Sequence, residues 1–356
     1  MSSSDSPVRD EPAAAATEDP DATGADLVIP GQERDSWLRR LTDSTALIFI
    51  ALLALVTVFA VLAPGAFPSV PNIRNIFIAA ASLLVISVGM TFVIISAGID
   101  LSVGSVLVFS SVVAVKAMTA VGNEGWGVSL IGIGVALLAG LLWGLINGFL
   151  IAKAGIPPLI VTLGTLGAAL GFAQIITGGI NLRGVPPQLT QVLGYGRIFG
   201  IPWLVVVAAV VTAWGIIALR FTRFGRYTYA VGSNPEAARR AGINVDRHLL
   251  KIYAIVGLLS GLAGVMSLAR FSNTNIAGHT TDNLQSIAAV VIGGTSLFGG
   301  IGTVFGTVVG VFIPTVLQNG FVILRVQPFW QEVAVGVVLI AAVYVDQLKR
   351  RARERL

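Results

Sequence analysis

Residues 127–152 read GVSLIGIGVALLAGLLWGLINGFLIA and contain no charged side chain. An α-helix needs about 20 apolar residues to cross the hydrocarbon core of a bilayer. Small residues recur at every fourth position along this run, namely Gly132, Ala136, Gly140, Gly144 and Gly148. This spacing puts them on one face of a helix, where the backbone of a second helix can approach closely. The stretch therefore predicts a membrane-spanning helix in a tightly packed bundle.

The composition of the whole chain agrees with this prediction. Of its 356 residues, 55% are hydrophobic and 12% are charged, and the mean hydropathy is +0.85. A soluble protein of this length would need more polar residues to cover its surface. We predict an all-α integral membrane protein with about ten transmembrane helices. The predicted spans are 45–63, 76–96, 103–120, 127–152, 157–178, 202–220, 250–270, 285–298, 301–318 and 330–347.

Glycines make the number of spans between residues 285 and 318 ambiguous. The interruptions are Gly293, Gly294, Gly299, Gly300 and Gly302. Two short spans fit this pattern, and so does one span with a re-entrant loop.

A weak internal repeat includes the same region. Residues 95–109 (ISAGIDLSVGSVLVF) align with residues 291–305 (VIGGTSLFGGIGTVF), with identical residues at four aligned positions. These identities pair Gly98 with Gly294, Leu101 with Leu297, Gly104 with Gly300 and Phe109 with Phe305. An odd number of predicted spans separates the copies, so they are expected to run in opposite directions. Inverted repeats of this kind build the central pathway of many transporters.

The distribution of charge predicts the orientation and the two tails. With the N-terminus and the C-terminus both in the cytoplasm, most of the 23 Lys and Arg residues fall on the cytoplasmic side, as the positive-inside rule requires. Residues 1–43 are acidic and rich in Ser, Ala and Pro, which predicts a disordered cytoplasmic tail. Residues 44–347 form the predicted transmembrane domain, and residues 348–356 a basic cytoplasmic tail.

Several kinds of chemistry find no support in the sequence. The chain has no cysteine, which excludes disulfides and thiolate sites, and its histidines, His248 and His279, lie outside any metal-binding cluster. No lysine follows a glycine in a Walker A loop, and we expect no Ser-His-Asp set or paired acids from spans so poor in charge. We therefore predict no catalytic residue, metal or cofactor. A pI near 9.9 reflects cytoplasmic arginines of a lipid-embedded protein rather than a nucleic-acid partner.

The stretch 221–249 is a long basic loop that predicts a short helix outside the membrane. Ser233 or Asn234 can cap its start, and Pro235 suits its first turn. The glutamate, alanines and glycine that follow favour a helix of about two turns with a left-handed stop at Gly242. A helix so short needs a partner to hold it.

Asp100 is the only acidic residue between Asp43 and Glu124. A carboxylate at membrane depth costs roughly 2.5–3.5 kcal/mol on insertion scales, so it needs a compensating role. Asp100 and Ser102 could cap the third span, or they could belong to a polar pathway through broken helices, and the two roles are compatible. Other polar or aromatic residues in or near the spans that could line such a pathway are Trp143, Asn147, Thr162, Thr165, Phe172, Gln174, Asn275, Asn283 and Gln285.

Three motifs resemble those of a known family. Glu236-Ala237-Ala238, followed by Gly242, resembles the EAA motif of the permeases of ATP-binding cassette (ABC) importers. The segments AGIDLSVGS (97–105), NPEAARRAGINV (234–245) and VVIGGTSLFGGIGTVFGTVVG (290–310) resemble the ribose-type sugar permeases. The similarity runs from about residue 44 to the C-terminus, and the acidic tail lies outside it.

This resemblance implies an ABC importer permease of the inner membrane that moves a monosaccharide, a ribose-like pentose or a hexose, by alternating access. It implies cytoplasmic ATPase subunits, an extracytoplasmic sugar-binding protein and a second permease subunit, identical or different. The ATPase-coupling residues would be Asn234, Pro235, Glu236, Ala237, Ala238, Arg239, Arg240 and Gly242. A stand-alone ion-coupled transporter is the alternative, and it would need intramembrane acids, of which Asp100 is the single candidate.

Overall fold

The computed structural model describes residues 44–122, residues 124–327 and separate positions between 329 and 347. Its α-helices are α1 (Ser44–Leu62), α2 (Val70–Ile95), α3 (Val103–Val121), α4 (Trp126–Ala152), α5 (Pro158–Thr177), α6 (Pro187–Leu189), α7 (Trp203–Phe221), α8 (Arg223–Ser233), α9 (Pro235–Arg240), α10 (Val245–Phe271), α11 (Asp282–Ile292) and α12 (Val304–Ile323). A π-helical turn, Thr190–Gly194, follows α6, and strands β1 (Arg197–Ile198) and β2 (Ile201–Pro202) form a small antiparallel hairpin.

Within the described residues, seven helices are long and apolar enough to cross a membrane: α2, α3, α4, α5, α7, α10 and α12. Two shorter apolar helices are α11 and residues Ile48–Leu62 of α1. The prediction of an all-α, multi-pass membrane protein is confirmed. The count of about ten spans stays a prediction.

Helices α2 and α10 form the centre of the bundle. In α2, 89% of the most apolar segment is buried inside the protein, against 28% in each of α4, α5 and α7. Consecutive residues near the end of α2, from Val85 to Ile95, are shielded from the surroundings. The outer helices expose apolar side chains such as Leu138 and Leu142, as expected of a surface that faces lipid.

The predicted stripe of small residues forms the contact between α4 and α10. A Cβ atom added at Gly140 would collide with the carbonyl oxygen of Gly257 and lie 2.8 Å from the amide nitrogen of Gly261. A Cβ atom at Gly144 would lie 3.0 Å from the Cα of Gly257. The two backbones therefore touch where both helices carry glycine, and the predicted close packing is confirmed.

The prediction of a loop over 221–249 is wrong in part. The short helix that we predict is present as α9, but the longer helix α8 precedes it, and α10 begins at Val245 rather than at residue 250. The side chain of Thr222 caps α8 by accepting a hydrogen bond from the amide of Gly225. Because α8 is amphipathic and not uniformly apolar, hydropathy alone does not identify it.

Predicted spans 285–298 and 301–318 are also wrong in their bounds. The structure has the 11-residue helix α11, a non-helical segment over residues 293–303, and the 20-residue helix α12. At 1.5 Å per residue, α11 covers only about 16 Å, roughly half of the hydrocarbon core. Gly294, Gly299 and Gly300 have positive φ angles, a conformation that ends a helix. The structure thus supports one span and a shorter helical segment.

Other predicted spans agree with the observed helices to within a few residues, except that α2 begins six residues earlier than 76. The Ser69 side chain caps it by accepting a hydrogen bond from the amide of Asn72. The predicted tails, 1–43 and 348–356, lie outside the described residues. Of the predicted span 330–347, only separate positions are described, and each is helical.

Candidate functional site

Helix α9 is a capped single element between α8 and α10. The Asn234 side chain accepts a hydrogen bond from the amide of Ala237 at 2.9 Å, so of the two predicted caps Asn234 is the one used. The other, Ser233, is the last residue of α8. Gly242 adopts φ +82°, and its amide donates to the Arg239 carbonyl at 3.0 Å. The predicted start and left-handed stop of this helix are both confirmed.

One face of α9 is anchored to the protein. Ala238 is only 4% exposed and belongs to a small apolar cluster with Val231 of α8 and Val245 of α10. The contact explains how a helix of six residues, too short to be stable alone, holds its position.

The opposite face of α9 carries exposed charges. Glu236 lies 3.7 Å from Arg240 and 4.0 Å from Arg239, and Arg239 lies 3.3 Å from Asp246. Asp246 also accepts a hydrogen bond from Lys153 at 3.2 Å. These exposed pairs contribute little stability, and they leave side chains of both charges on the surface of α9 and beside it.

A second polar group surrounds the break between α2 and α3. Asp100 is 2% exposed, and its Oδ1 accepts hydrogen bonds from the Ser102 amide at 2.8 Å and from the Ser102 hydroxyl at 2.6 Å. The Asn147 amide donates to the Ser102 hydroxyl at 2.9 Å. The predicted cap of α3 is wrong, because Ser102 makes no side-chain cap bond and Asp100 binds the amide that precedes the helix.

This group, which we call the Asp100 cluster, consists of Asp100, Ser102, Asn147, Thr162 and Asn283. Thr162 approaches the Ile99 carbonyl at 3.4 Å, and Asn283 donates to the Leu101 carbonyl at 3.0 Å. Asn147 is almost fully buried, and its Oδ1 is among the few buried side-chain atoms of the described chain that lack a hydrogen-bond partner. A buried acceptor of this kind costs free energy unless a donor reaches it.

The remaining pathway candidates do not join the cluster. The Trp143 ring lies 5.8 Å from that of Phe109 and 6.4 Å from that of Phe172, which forms an aromatic row on the α3, α4 and α5 surface. Thr165 bonds to a carbonyl of its own helix, and Gln174 is exposed.

Two pathway candidates in the second half of the chain, Asn275 and Gln285, form hydrogen bonds with residues close to them in sequence. Asn275 accepts a hydrogen bond from the Gly278 amide at 3.0 Å, and Gln285 donates to the Thr281 hydroxyl at 3.2 Å. Asn275 therefore lies in the segment before α11 and Gln285 in the first turn of α11, and both of these side-chain bonds stay within residues 275–285.

A Ser-His-Asp chain, which we expected the spans not to supply, is present. Nε2 of His279 lies 2.7 Å from the Ser267 hydroxyl, and its Nδ1 lies 2.7 Å from Asp282 Oδ2. Ser267 lies near the C-terminal end of α10 and is 2% exposed, so its side chain is buried. The chain ties the segment before α11 to α10. His279 and Asp282 are three residues apart, but Ser267 lies 12 residues before His279, so no local sequence pattern marks the whole set.

The sequence is similar to a family of transport permeases and to several sugar permeases. The family described as "Branched-chain amino acid transport system / permease component" matches residues 72–343. The ribose import permease protein RbsC of Escherichia coli K12 is 36% identical over 304 residues, which cover 85% of this chain and 93% of that protein.

Two other relatives have similar coverage. The RbsC protein of Bacillus subtilis 168 is 39% identical over 304 residues, covering 85% of this chain and 92% of its own. The D-allose transport system permease protein AlsC of E. coli K12 is 36% identical over 300 residues, covering 84% and 90%. No solved structure gives a significant match.

Proposed function

The chain belongs to the family of branched-chain amino acid transport system permease components, and from this premise we propose that it is the permease subunit of an ABC importer for a monosaccharide. It is a multi-pass protein of the inner membrane. Relatives named as ribose and D-allose permeases cover more than four fifths of the chain. They support a sugar substrate, either a pentose or a hexose.

The observation that supports the proposal most strongly is that α9 has one buried face and one exposed, charged face. Its buried Ala238 fixes the helix to α8 and α10, while Glu236, Arg239 and Arg240 remain exposed. A docking helix needs both features. Exposed charges allow the partner to bind through complementary charge, and a rigid attachment to α8 and α10 transmits the partner's movement to the rest of the protein. We propose that the ATPase binds here through residues Asn234, Pro235, Glu236, Ala237, Ala238, Arg239, Arg240 and Gly242.

The proposed topology has about ten spans with both termini in the cytoplasm. The tails 1–43 and 348–356 then lie on the same side as α9 and the ATPase subunits. An extracytoplasmic sugar-binding protein delivers the substrate to the other side. A second permease subunit pairs with this one, and lipid covers the remaining apolar surface. ATP is bound by the ATPase subunits and not by this chain.

Transport proceeds by alternating access, and we place the Asp100 cluster on the sugar pathway. The Oδ1 atom of Asn147 is a hydrogen-bond acceptor without a donor in the structure. A hydroxyl group of a sugar is a hydrogen-bond donor and could supply this bond. The break between α2 and α3 is surrounded by the other members of the cluster, Asp100, Ser102, Thr162 and Asn283. The further pathway candidates are Trp143, Thr165, Phe172, Gln174, Asn275 and Gln285.

Reconstitution tests the proposal directly. The chain is purified with a candidate ATPase and placed in proteoliposomes with a sugar-binding protein, and uptake is measured for ribose, D-allose and other pentoses and hexoses. We expect the ATPase to copurify and uptake to require ATP. Proton- or sodium-driven uptake by the isolated chain would refute the proposal and favour an ion-coupled transporter.

A further inference from the structure

Three backbone segments meet at one point beside the end of α8. They are Gly232 of α8, Ile95 at the end of α2, and Gly300 in the break between α11 and α12. The Gly300 amide donates to the Ile95 carbonyl at 2.8 Å. A Cβ atom at Gly232 would collide with the same carbonyl oxygen and would lie 2.8 Å from the Gly300 amide nitrogen. The contact is therefore backbone against backbone, and any larger residue at position 232 would open it.

A side chain of α8 fastens the same place. The Tyr229 hydroxyl donates to the Gly302 carbonyl at 2.7 Å. Tyr229 is half-buried, and this burial raises the pKa of its phenol above the ordinary value. The break over 293–303 is thus bonded both to α8 and to the end of α2.

The backbone at this contact adopts positive φ angles, which strain only a residue other than glycine. Ala97 has φ 61°, and Gly299 and Gly300 have φ 84° and 74°. Ala97 thus adopts a left-handed conformation that is unfavourable for alanine and that glycine adopts freely. Such strain persists only where the surroundings enforce it, and a Cβ atom at Gly299 would lie 2.8 Å from the Ala97 Cβ and 2.7 Å from the Gly232 carbonyl oxygen.

No flexible linker separates this contact from α9. Helix α8 ends at Ser233, Asn234 caps α9, and α9 starts at Pro235. The Asn234 amide also donates back to the Ala230 carbonyl at 3.1 Å. With Val231 and Ala238 in one apolar cluster, a displacement of α9 moves the end of α8 with it.

We infer that Tyr229 and Gly232 are positioning residues that transmit the displacement of α9 to both helix breaks of the transport domain. The inference rests on the proposed function, in which an ATPase moves α9. One break leads into the Asp100 cluster, since Ile95 is five residues before Asp100. The other lies between α11 and α12. A single rigid contact thus reaches both copies of the weak sequence repeat.

The first test removes one hydroxyl. Tyr229→Phe deletes the bond to Gly302 but keeps the ring, and Tyr227→Phe is the matched control, since Tyr227 is exposed on the same helix. Both variants are reconstituted with ATPase and binding protein, and ribose uptake and ATP hydrolysis are measured together. We expect Tyr229→Phe to lower the ribose transported per ATP about fivefold, the effect of about 1 kcal/mol, with normal ATPase copurification. An unchanged ratio would overturn the inference.

The second test distinguishes transmission of movement from a purely structural role of the contact. Gly232→Ala forces the contact open, and Gly134→Ala is the control, because a Cβ atom at Gly134 meets nothing within 4 Å. We expect Gly232→Ala to keep the ATPase bound and hydrolysing while uptake is lost. Loss of ATPase binding in both Gly232→Ala and Tyr229→Phe would also overturn the inference. If the wild-type chain binds no ATPase and moves no sugar, the proposed function itself fails.

Discussion

At the scale of single residues, Asp100 shows how a buried carboxylate can be held by its own neighbours. Both hydrogen bonds from Ser102 end on one of its oxygens, Oδ1. The Asn147 amide then reaches the same hydroxyl. These short polar contacts offset part of the cost of burying the group, and they fix the direction in which the chain leaves α2.

Asp100→Asn should preserve stability because an amide oxygen can accept the same two bonds. Asp100→Ala should lower the free energy of unfolding by about 1–3 kcal/mol, since the Ser102 amide and hydroxyl lose their acceptor. Thermal unfolding of the purified variants in detergent measures both effects. Loss of sugar uptake in a stable Asp100→Asn variant would contradict a purely hydrogen-bonding role and show that the negative charge is required.

Gly242 is a residue whose backbone, rather than its surroundings, demands glycine. Its φ is +82°, and a Cβ atom there meets nothing within 4 Å. Gly242→Ala should therefore cost about 1 kcal/mol of local strain and weaken copurification of the ATPase. Gly178→Ala is the matched control, since Gly178 has φ +66° and equal space but lies at the end of α5. Equal loss of ATPase binding in both variants would refute a specific role for Gly242.

At the scale of elements, the contact of α4 with α10 is a close helix crossing that the stripe of small residues in the sequence predicts. Gly140→Ala should destabilise the bundle by about 1–3 kcal/mol, because the new methyl group collides with backbone that cannot rotate away. Gly134→Ala, on the same helix with open space around it, should be neutral. The folded yield in detergent compares the two, and a normal yield for Gly140→Ala would show that the crossing can relax.

Elements differ in how far the sequence predicts them. Long apolar runs give α3, α4, α5 and α7 to within a residue or two, since hydropathy and length suffice for a spanning helix. Helix α8 is missed because its apolar residues form only one stripe. The glycine break over 293–303 is visible in the sequence, but its backbone contacts with Ile95 and Gly232 come from residues far apart in the chain.

The candidate site divides in the same way. The α9 motif can be read from the sequence because its cap, proline and glycine act locally. The Asp100 cluster is only partly predictable: the polar residues stand out in apolar spans, but their partners do not. The bond that joins Ser267 to His279 depends on tertiary folding, whereas His279 and Asp282 are only three residues apart and pair locally.

At the scale of the whole molecule, the proposed orientation with both termini in the cytoplasm is open to a direct test, since the natural chain has no cysteine. Glu124→Cys and Arg240→Cys each introduce one thiol. A membrane-impermeant maleimide added to intact cells should label position 124 and leave position 240 unlabelled until the membrane is permeabilised. The reverse pattern would show that the orientation is inverted and would place α9 out of reach of a cytoplasmic ATPase.

The burial of α2 also has a consequence for biogenesis. Helix α2 is the second helix of the described chain to leave the ribosome, yet α7, α10 and α12, which pack against it, are synthesised more than a hundred residues later. A nascent α2 must therefore enter the bilayer with its whole circumference facing acyl chains. The Val, Ile and Leu residues of α2 are compatible with this initial contact with lipid. When the second half of the chain has been synthesised and inserted, helices α7, α10 and α12 displace the lipid from α2.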